Sequence, residues 1–338
     1  MNSIPQIQNE EKHLGQLAAQ RQLYSEAKHT LGWQMILVIP GAVFLSYVIA
    51  LRPAYQEWAA LFVVLITLFD VLVLEPRQKR LTEKAAKIQQ IFDSEVFGWN
   101  DTSSEIEEIT DAAMRHQKKD PGYSRLKDWY PASVGTIPLI PARIICQRSN
   151  IWWDSKLRRR YTTVLLSSLS VLVAAVSFIG FNSGITFQRF VFFIFAPLLP
   201  LLIWGIREGR KHLESAGRLD RLMDRALELW QQACQKSTTD TRLEEKSRAL
   251  QLEIYDHRRS APFIFDWLYG LFRKKSEAHM SKTAEQLVEE YVGARTKAGE
   301  DMTVVSPNPK NRAQIPPPSV ATEQIVNQRQ KQIEGKPQ

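Results

Sequence analysis

Two apolar patterns alternate along this chain. Four dense blocks, residues 31–51 (LGWQMILVIPGAVFLSYVIAL), 58–74 (WAALFVVLITLFDVLVL), 162–181 and 190–206 (FVFFIFAPLLPLLIWGI), are apolar nearly all round. A helix of about 20 residues spans roughly 30 Å, the thickness of a hydrocarbon core, so each block predicts a transmembrane helix. The linkers at 52–57 and 182–189 are too short for a domain and pair the spans into two hairpins. Pro40 with Gly41 predicts a kink in the first span, and Pro197 with Pro200 a bend in the fourth.

Around these blocks, apolar residues recur at steps of three and four among charged ones. Leu14, Leu17, Ala18, Tyr24 and Ala27 predict a helix over 5–29; Leu81, Ala85, Ile88, Ile91 and Phe92 predict another, ended by FGWND. Thr102 with Glu105 forms a capping box for a helix through Ile106, Ile109 and Ala113, and Thr241 with Glu244 a second for Leu243, Leu250 and Ile254. Leu219, Leu222, Ala226, Leu229 and Ala233 form a coiled-coil-like seam that could support self-association. APFIFDWLYGLFRKK suits a packed helix or one lying on the bilayer. A last helix covers 276–294, and the Pro-, Gln- and Lys-rich tail cannot bury a core. The expected fold is thus an all-α membrane protein with four transmembrane helices in two hairpins, a helical cytosolic insert and a helical C-terminal region. Its segments are an amphipathic helix (1–30), hairpin one (31–75), the insert (76–161), hairpin two (162–206), C-terminal helices (207–298) and a disordered tail (299–338).

The organising stretch is 141–180, which reads as one unbroken helix passing from water into membrane. Pro141 suits the first turn, and no Pro or Gly follows before Gly180. Arg143, Gln147, Asn150 and Asp154 share one face of the watery half. Thr163, Ser167, Ser170, Ala174 and Ser177 form a small-residue stripe inside the span.

Charge sets the orientation. With 44 Lys and Arg against 36 Asp and Glu in 338 residues, the net charge of +8 is modest, but its distribution is not even. Arg52 and Arg189 stand alone on the hairpin side, against clusters at 77–87, 156–160 and 207–211, which places both termini and the insert in the cytosol. The acidic opening MNSIPQIQNEEKH gives no cleavable signal, and Cys146 and Cys234 fall on the cytosolic side, where a disulfide is not expected. Trp33, Trp58, Trp152, Trp153 and Trp204 lie near expected interfaces.

No Walker loop, GxGxxG, HExxH, CxxC or GxSxG is present, and the six histidines lack ligand spacing. His116 near Glu107 or Asp111 fits a surface helix better than an acid–base pair. No enzyme, cofactor or metal site is therefore expected. Four spans in this order, with IQNEEKHLGQLAAQRQLYSEAK, the FGWN turn, KDWYP, CQRSNIWWD and DWLY placed around them, resemble the SMODS-associated four-transmembrane effector family over roughly residues 5–294. The resemblance implies an inner-membrane effector of bacterial cyclic-oligonucleotide antiphage signalling (CBASS), triggered by a second messenger to oligomerise and damage the membrane, with no role for DNA. A membrane scaffold whose cytosolic helices bind a protein partner is the alternative.

Phosphates need Arg, Lys or helix N-termini, and bases stack on aromatic rings. Arg143, Gln147, Arg148, Asn150 and Asp154, with Lys127, Trp129, Tyr130 and Trp99 on nearby loops, are the candidate ligand residues. The stripe from Arg143 to Asp154 equally suits an internal polar network. Arg158, Arg159 and Arg160 fit a positive-inside anchor, and Trp152 and Trp153 fit interface anchors. Asp70, the carboxylate inside a span, is expected to bridge to Arg159 or Arg160, or else to serve a gating role. Ser167, Ser170 and Ser177 are packing candidates.

Overall fold

A computed structural model describes residues 1–99, 106–236 and 238–297; the capping box at Thr102 and Glu105 and the tail after 297 lie outside them. Among the described residues every regular element is helical. The α-helices are α1 (Ile4–Ile7), α2 (Glu11–Leu51), α3 (Gln56–Phe69), α4 (Glu75–Val96), α5 (Ile106–Gln117), α6 (Leu139–Asn182), α7 (Phe187–Phe190), α8 (Ala196–Gln235), α9 (Asp240–Ser260) and α10 (Asp266–Lys297). π-helical turns at 70–74 and 191–195 join α3 to α4 and α7 to α8.

The long helices run through the segment boundaries drawn from composition. α2 carries both the amphipathic helix and the first apolar block without a break at Pro40 or Gly41. One proline removes a single backbone hydrogen bond, which a helix in a bilayer tolerates. Residues 56–96 likewise form one helix, and α6 unites the polar stripe and third block as expected, starting two residues earlier at Leu139. Among the described residues, 56–96 and 139–182 are the two helices long and apolar enough to cross a membrane. Their apolar side chains, such as Leu72, Val171 and Phe178, are largely exposed, as lipid contact requires.

The second hairpin closes through glycine. A Cβ at Gly205 would lie 2.2 Å from Leu169 Cδ1, and one at Gly180 2.4 Å from the Phe190 ring, so α6 approaches α8 and α7 where side chains are missing. The turn between them carries Gly184 at φ +66°, a left-handed conformation that glycine adopts without strain. Ser167 and Ser170 sit on the exposed side of α6, Ser170 Oγ donating to Leu166 O (2.9 Å), while Ser177 is half-buried.

Leu17 and Leu23 of α2, Ile88 and Phe92 of α4, Ile144 and Ile145 of α6, Trp230 of α8 and Ile254 of α9 form one core. Three expectations change here. The seam from Leu219 to Ala233 is buried in this core, so it packs the chain's own α9 and α10 rather than presenting a self-association surface. Asp70 accepts from Gln34 Nε2 (2.6 Å), not from the arginines: Arg159 pairs with Asp220, and Arg160 donates to Ser276 (3.1 Å). Helix α9 starts at Asp240 with Thr239 as its uncapped N-terminal residue, so Thr241 lies inside the first turn and forms no capping box with Glu244, which meets Trp99 and Arg143.

Candidate ligand-binding cavity

The polar stripe of α6 divides into two halves with different partners. Its first half is sealed. Arg143 is buried, donates Nε–H to Phe97 O (2.7 Å), pairs through Nη1 with Glu244 (3.1 Å) and lies over the Trp99 ring. Gln147, fully buried, donates to Ser247 O (2.8 Å) and Gln251 Oε1 (3.2 Å) and accepts from Ser247 Oγ (3.0 Å). Trp99 is buried too, donating Nε1–H to Glu244 (3.2 Å). Left without such partners, these buried polar groups would each cost about 1–3 kcal/mol, so the set specifies how α6 docks on α9.

The second half of the stripe opens onto a cavity of about 460 Å³. Asn150, Trp153, Asp154, Leu157 and Arg158 line one wall, at the three- and four-residue spacing of a single helical face. Gln20, Arg21, Tyr24 and Lys28 of α2 line a second by the same rule, and Arg258, the 261–264 linker, Asp266, Glu277 and Met280 complete it. Six cations (Arg21, Lys28, Arg125, Lys127, Arg158, Arg258) and the rings of Tyr24, Trp129, Trp153 and Phe263 thus face one space with four carboxylates (Asp128, Asp154, Asp266, Glu277). That volume is ligand-sized, and its combination of charge and flat rings suits an anion carrying aromatic groups.

The KDWYP loop reaches the cavity because the chain start holds it. Gln8 accepts from Tyr130 N (2.7 Å) and donates to Tyr130 O (3.0 Å). Asn9 and Asp128 exchange two more hydrogen bonds, which hold Asp128 at φ +54°, a conformation unusual for a residue with a Cβ. Lys127 and Trp129 are thereby presented to the cavity, while Tyr130 turns inward. The Trp129 Nε1–H is buried without a hydrogen-bond partner. Tyr130 Oη donates to the fully buried Asp93 (2.5 Å) and accepts from Asn150 (3.0 Å); Gln251 and Arg258 also bind Asp93. Burial and the Asp93 charge push the Tyr130 hydroxyl far above its ordinary value, and burial does the same to Tyr24.

An ionic chain begins at Asp154 and Arg158 of the cavity lining and leads away from it. His257 Nε2 lies 3.1 Å from Asp154 Oδ2, Arg158 Nε 3.1 Å from Asp154 Oδ1, Arg158 Nη1 donates to Pro262 O (2.9 Å) and stands 3.5 Å from His212 Nδ1. His212 Nε2 then meets Glu208 at 3.3 Å, one turn from the fourth apolar block. Burial alone would raise the Asp154 carboxyl, but the Arg158 guanidinium and His257 hold it well below the carboxylate range. Burial lowers His257 and His212 despite their acidic neighbours. Ser215 Oγ approaches His257 at the same Nε2 that meets Asp154, so these three do not form a nucleophilic relay, which needs opposite ring nitrogens.

Of the nine expected ligand residues, Lys127, Trp129, Asn150 and Asp154 line the cavity; Arg143, Gln147, Trp99 and Tyr130 are committed to the core, and Arg148 lies elsewhere, near Glu290. Arg158 and Trp153 also line the cavity, and Trp152 stacks on His279 with ring centres 4.6 Å apart. Arg21, Tyr24, Lys28 and Arg258 were missed. The first three share a face at steps of three and four, beside the apolar face that predicts the helix.

Apolar helices continuous with a helical body that holds a basic, aromatic-lined cavity define an all-α membrane-associated protein with a ligand-sized site. The chain belongs to the SMODS-associating 4TM effector domain family, whose model matches residues 2–287. It is 24% identical over 285 residues to a protein of Bacillus cereus (strain VD146) described as a probable CBASS effector molecule, covering 81% of this chain and 94% of that one. No solved structure matches.

Proposed function

We propose that this protein is a CBASS effector of the bacterial inner membrane, and that a cyclic oligonucleotide bound in the cavity between α2, α6 and the α9–α10 linker triggers it to assemble and breach the bilayer. The cavity itself carries the reading: phosphates would meet Lys127, Arg21 and Arg258, and bases would stack on Trp129 and Trp153. The family's 4TM description supports four spans, with 31–51 inside α2 as the first and 190–206 across α7 and α8 as the fourth, and the Lys and Arg bias supports cytosolic termini. Coupling to the membrane is short. Arg158 stands four residues, about 6 Å along the helix, before the apolar run begins at Thr162. Phosphate contact at Arg158 would compete with Asp154 and His212, and so disturb the ionic chain that ends at Glu208 on α8. The outward Ser167 and Ser170 are then free to pack against another copy.

The test is calorimetric titration of purified protein with a panel of cyclic di- and trinucleotides. At least one should bind, and Lys127→Ala and Trp153→Ala should each weaken it roughly tenfold or more, since a charge-assisted hydrogen bond or a stacked base contributes about 1–3 kcal/mol. Arg148→Ala, outside the cavity, should bind as wild type. Absence of binding across the panel, or undiminished binding by both cavity variants, overturns the assignment.

A further inference from the structure

A second concave site lies where the helix 56–96 leaves its apolar segment. Leu72, Val73, Arg77, Arg80, Leu81 and Lys84 surround a groove of about 350 Å³, open on the outer surface of the molecule. Its arrangement follows from the π-helical turn at 70–74. Val73, Arg77, Arg80, Leu81 and Lys84 repeat at helical spacing on one face, but Leu72 stands five residues before Arg77 and would point elsewhere in a regular α-helix. The wider π turn brings residues five apart toward alignment, and so places Leu72 beside Val73 below the cationic row. Leu72 and Val73 are exposed, as are Arg77, Arg80 and Lys84. Lys84 Nζ pairs with Glu108 (2.5 Å), and Arg80 directs its Nε to Pro76 O (3.4 Å), which leaves the two guanidinium groups as the main charge of the groove.

We propose that this groove holds one anionic phospholipid of the leaflet on the side of the helical body, its phosphate on Arg77 and Arg80 and the start of its acyl chains on Leu72 and Val73. The inference rests on reading 56–96 as membrane-crossing and not on the nucleotide cavity. Two features select a lipid over a soluble anion. The cationic row directly follows the apolar segment of the helix, at headgroup level, and the groove combines an apolar floor with a guanidinium pair, which a free phosphate would leave half unused. Guanidinium groups also bind phosphate oxygens bidentately, so the site is more than a general positive surface. Arg77 and Arg80 begin the helix that carries Gln89 to the nucleotide cavity and Asp93 to the core network, so the bound lipid would fix the height of that helix in the bilayer.

The test is native mass spectrometry of the full chain in detergent with an equimolar mixture of phosphatidylglycerol and phosphatidylcholine of identical chains. Wild type should retain phosphatidylglycerol severalfold over phosphatidylcholine. Arg77→Gln with Arg80→Gln should bring the two to parity. Lys79→Gln, on the same helix outside the groove, should keep the preference, whereas Arg77→Lys with Arg80→Lys, which keeps the charge but loses the bidentate fork, should keep only part of it. Parity in wild type, an unchanged preference in the glutamine pair, or an equal loss in Lys79→Gln overturns the proposal. So does displacement of the lipid by millimolar inorganic phosphate, which would mark a soluble-anion site. Should the glutamine pair not fold, the wild-type preference, the Lys79→Gln control and the phosphate competition still decide.

Discussion

Three buried histidines tie individual residues to the stability of the body. Burial lowers His116, His212 and His257 below the ordinary imidazole value, so the folded chain favours them neutral while the unfolded chain takes up protons near pH 6.5. The unfolded state then binds more protons as pH falls through that value, and stability declines. Asp154 and Glu208 are both lowered, so they remain ionised in this window and do not supply the loss. The melting temperature in detergent should fall between pH 7.5 and pH 5.5, and His257→Gln should reduce the slope. A flat or rising profile would contradict the burial argument. The two cysteines take no part: burial raises Cys146 strongly and Cys234 to about 11, which keeps both as thiols near neutral pH.

At the scale of elements, α6 matters most because it is unbroken from the core at Arg143 to the turn after Asn182. That continuity was legible in the sequence, since no Gly or Pro lies between Pro141 and Gly180. The two roles of its polar stripe were not legible. Arg143 and Asp154 look alike on a helical wheel, and what separates them is α9, whose Ser247 and Gln251 cover one half while the turn to the 261–264 linker leaves the other open. The apolar face from Leu219 to Ala233 is legible in the sequence and its partner is not, because periodicity reports an apolar face but not what covers it. The cavity wall on α2 was hidden for a related reason: Arg21, Tyr24 and Lys28 are ordinary surface residues until α6 is placed opposite. Insertion of two glycines between Tyr161 and Val164 should preserve nucleotide binding by titration and abolish nucleotide-dependent leakage from vesicles, since flexible residues uncouple the two halves of the rod. Full leakage by the insertion would move the signal to the route through His212 and α8.

The whole molecule joins a body with a polar cavity to apolar helices that are continuous with its walls. α2, α6 and α8 each contribute to the body and each extends toward or through an apolar block, so a ligand drawing α2 toward α6 would act on the spans without an intervening linker. A ligand shifts such an equilibrium only by its differential affinity, so the assembled state must bind nucleotide more tightly than the resting chain. The most direct measurement is dye release from vesicles carrying the full chain, titrated with the panel of cyclic di- and trinucleotides. The account predicts tight vesicles without nucleotide, release with at least one nucleotide, and no release at the same concentration for the Lys127→Ala, Trp153→Ala double variant. Release that ignores nucleotide, or that survives in the double variant, would contradict it.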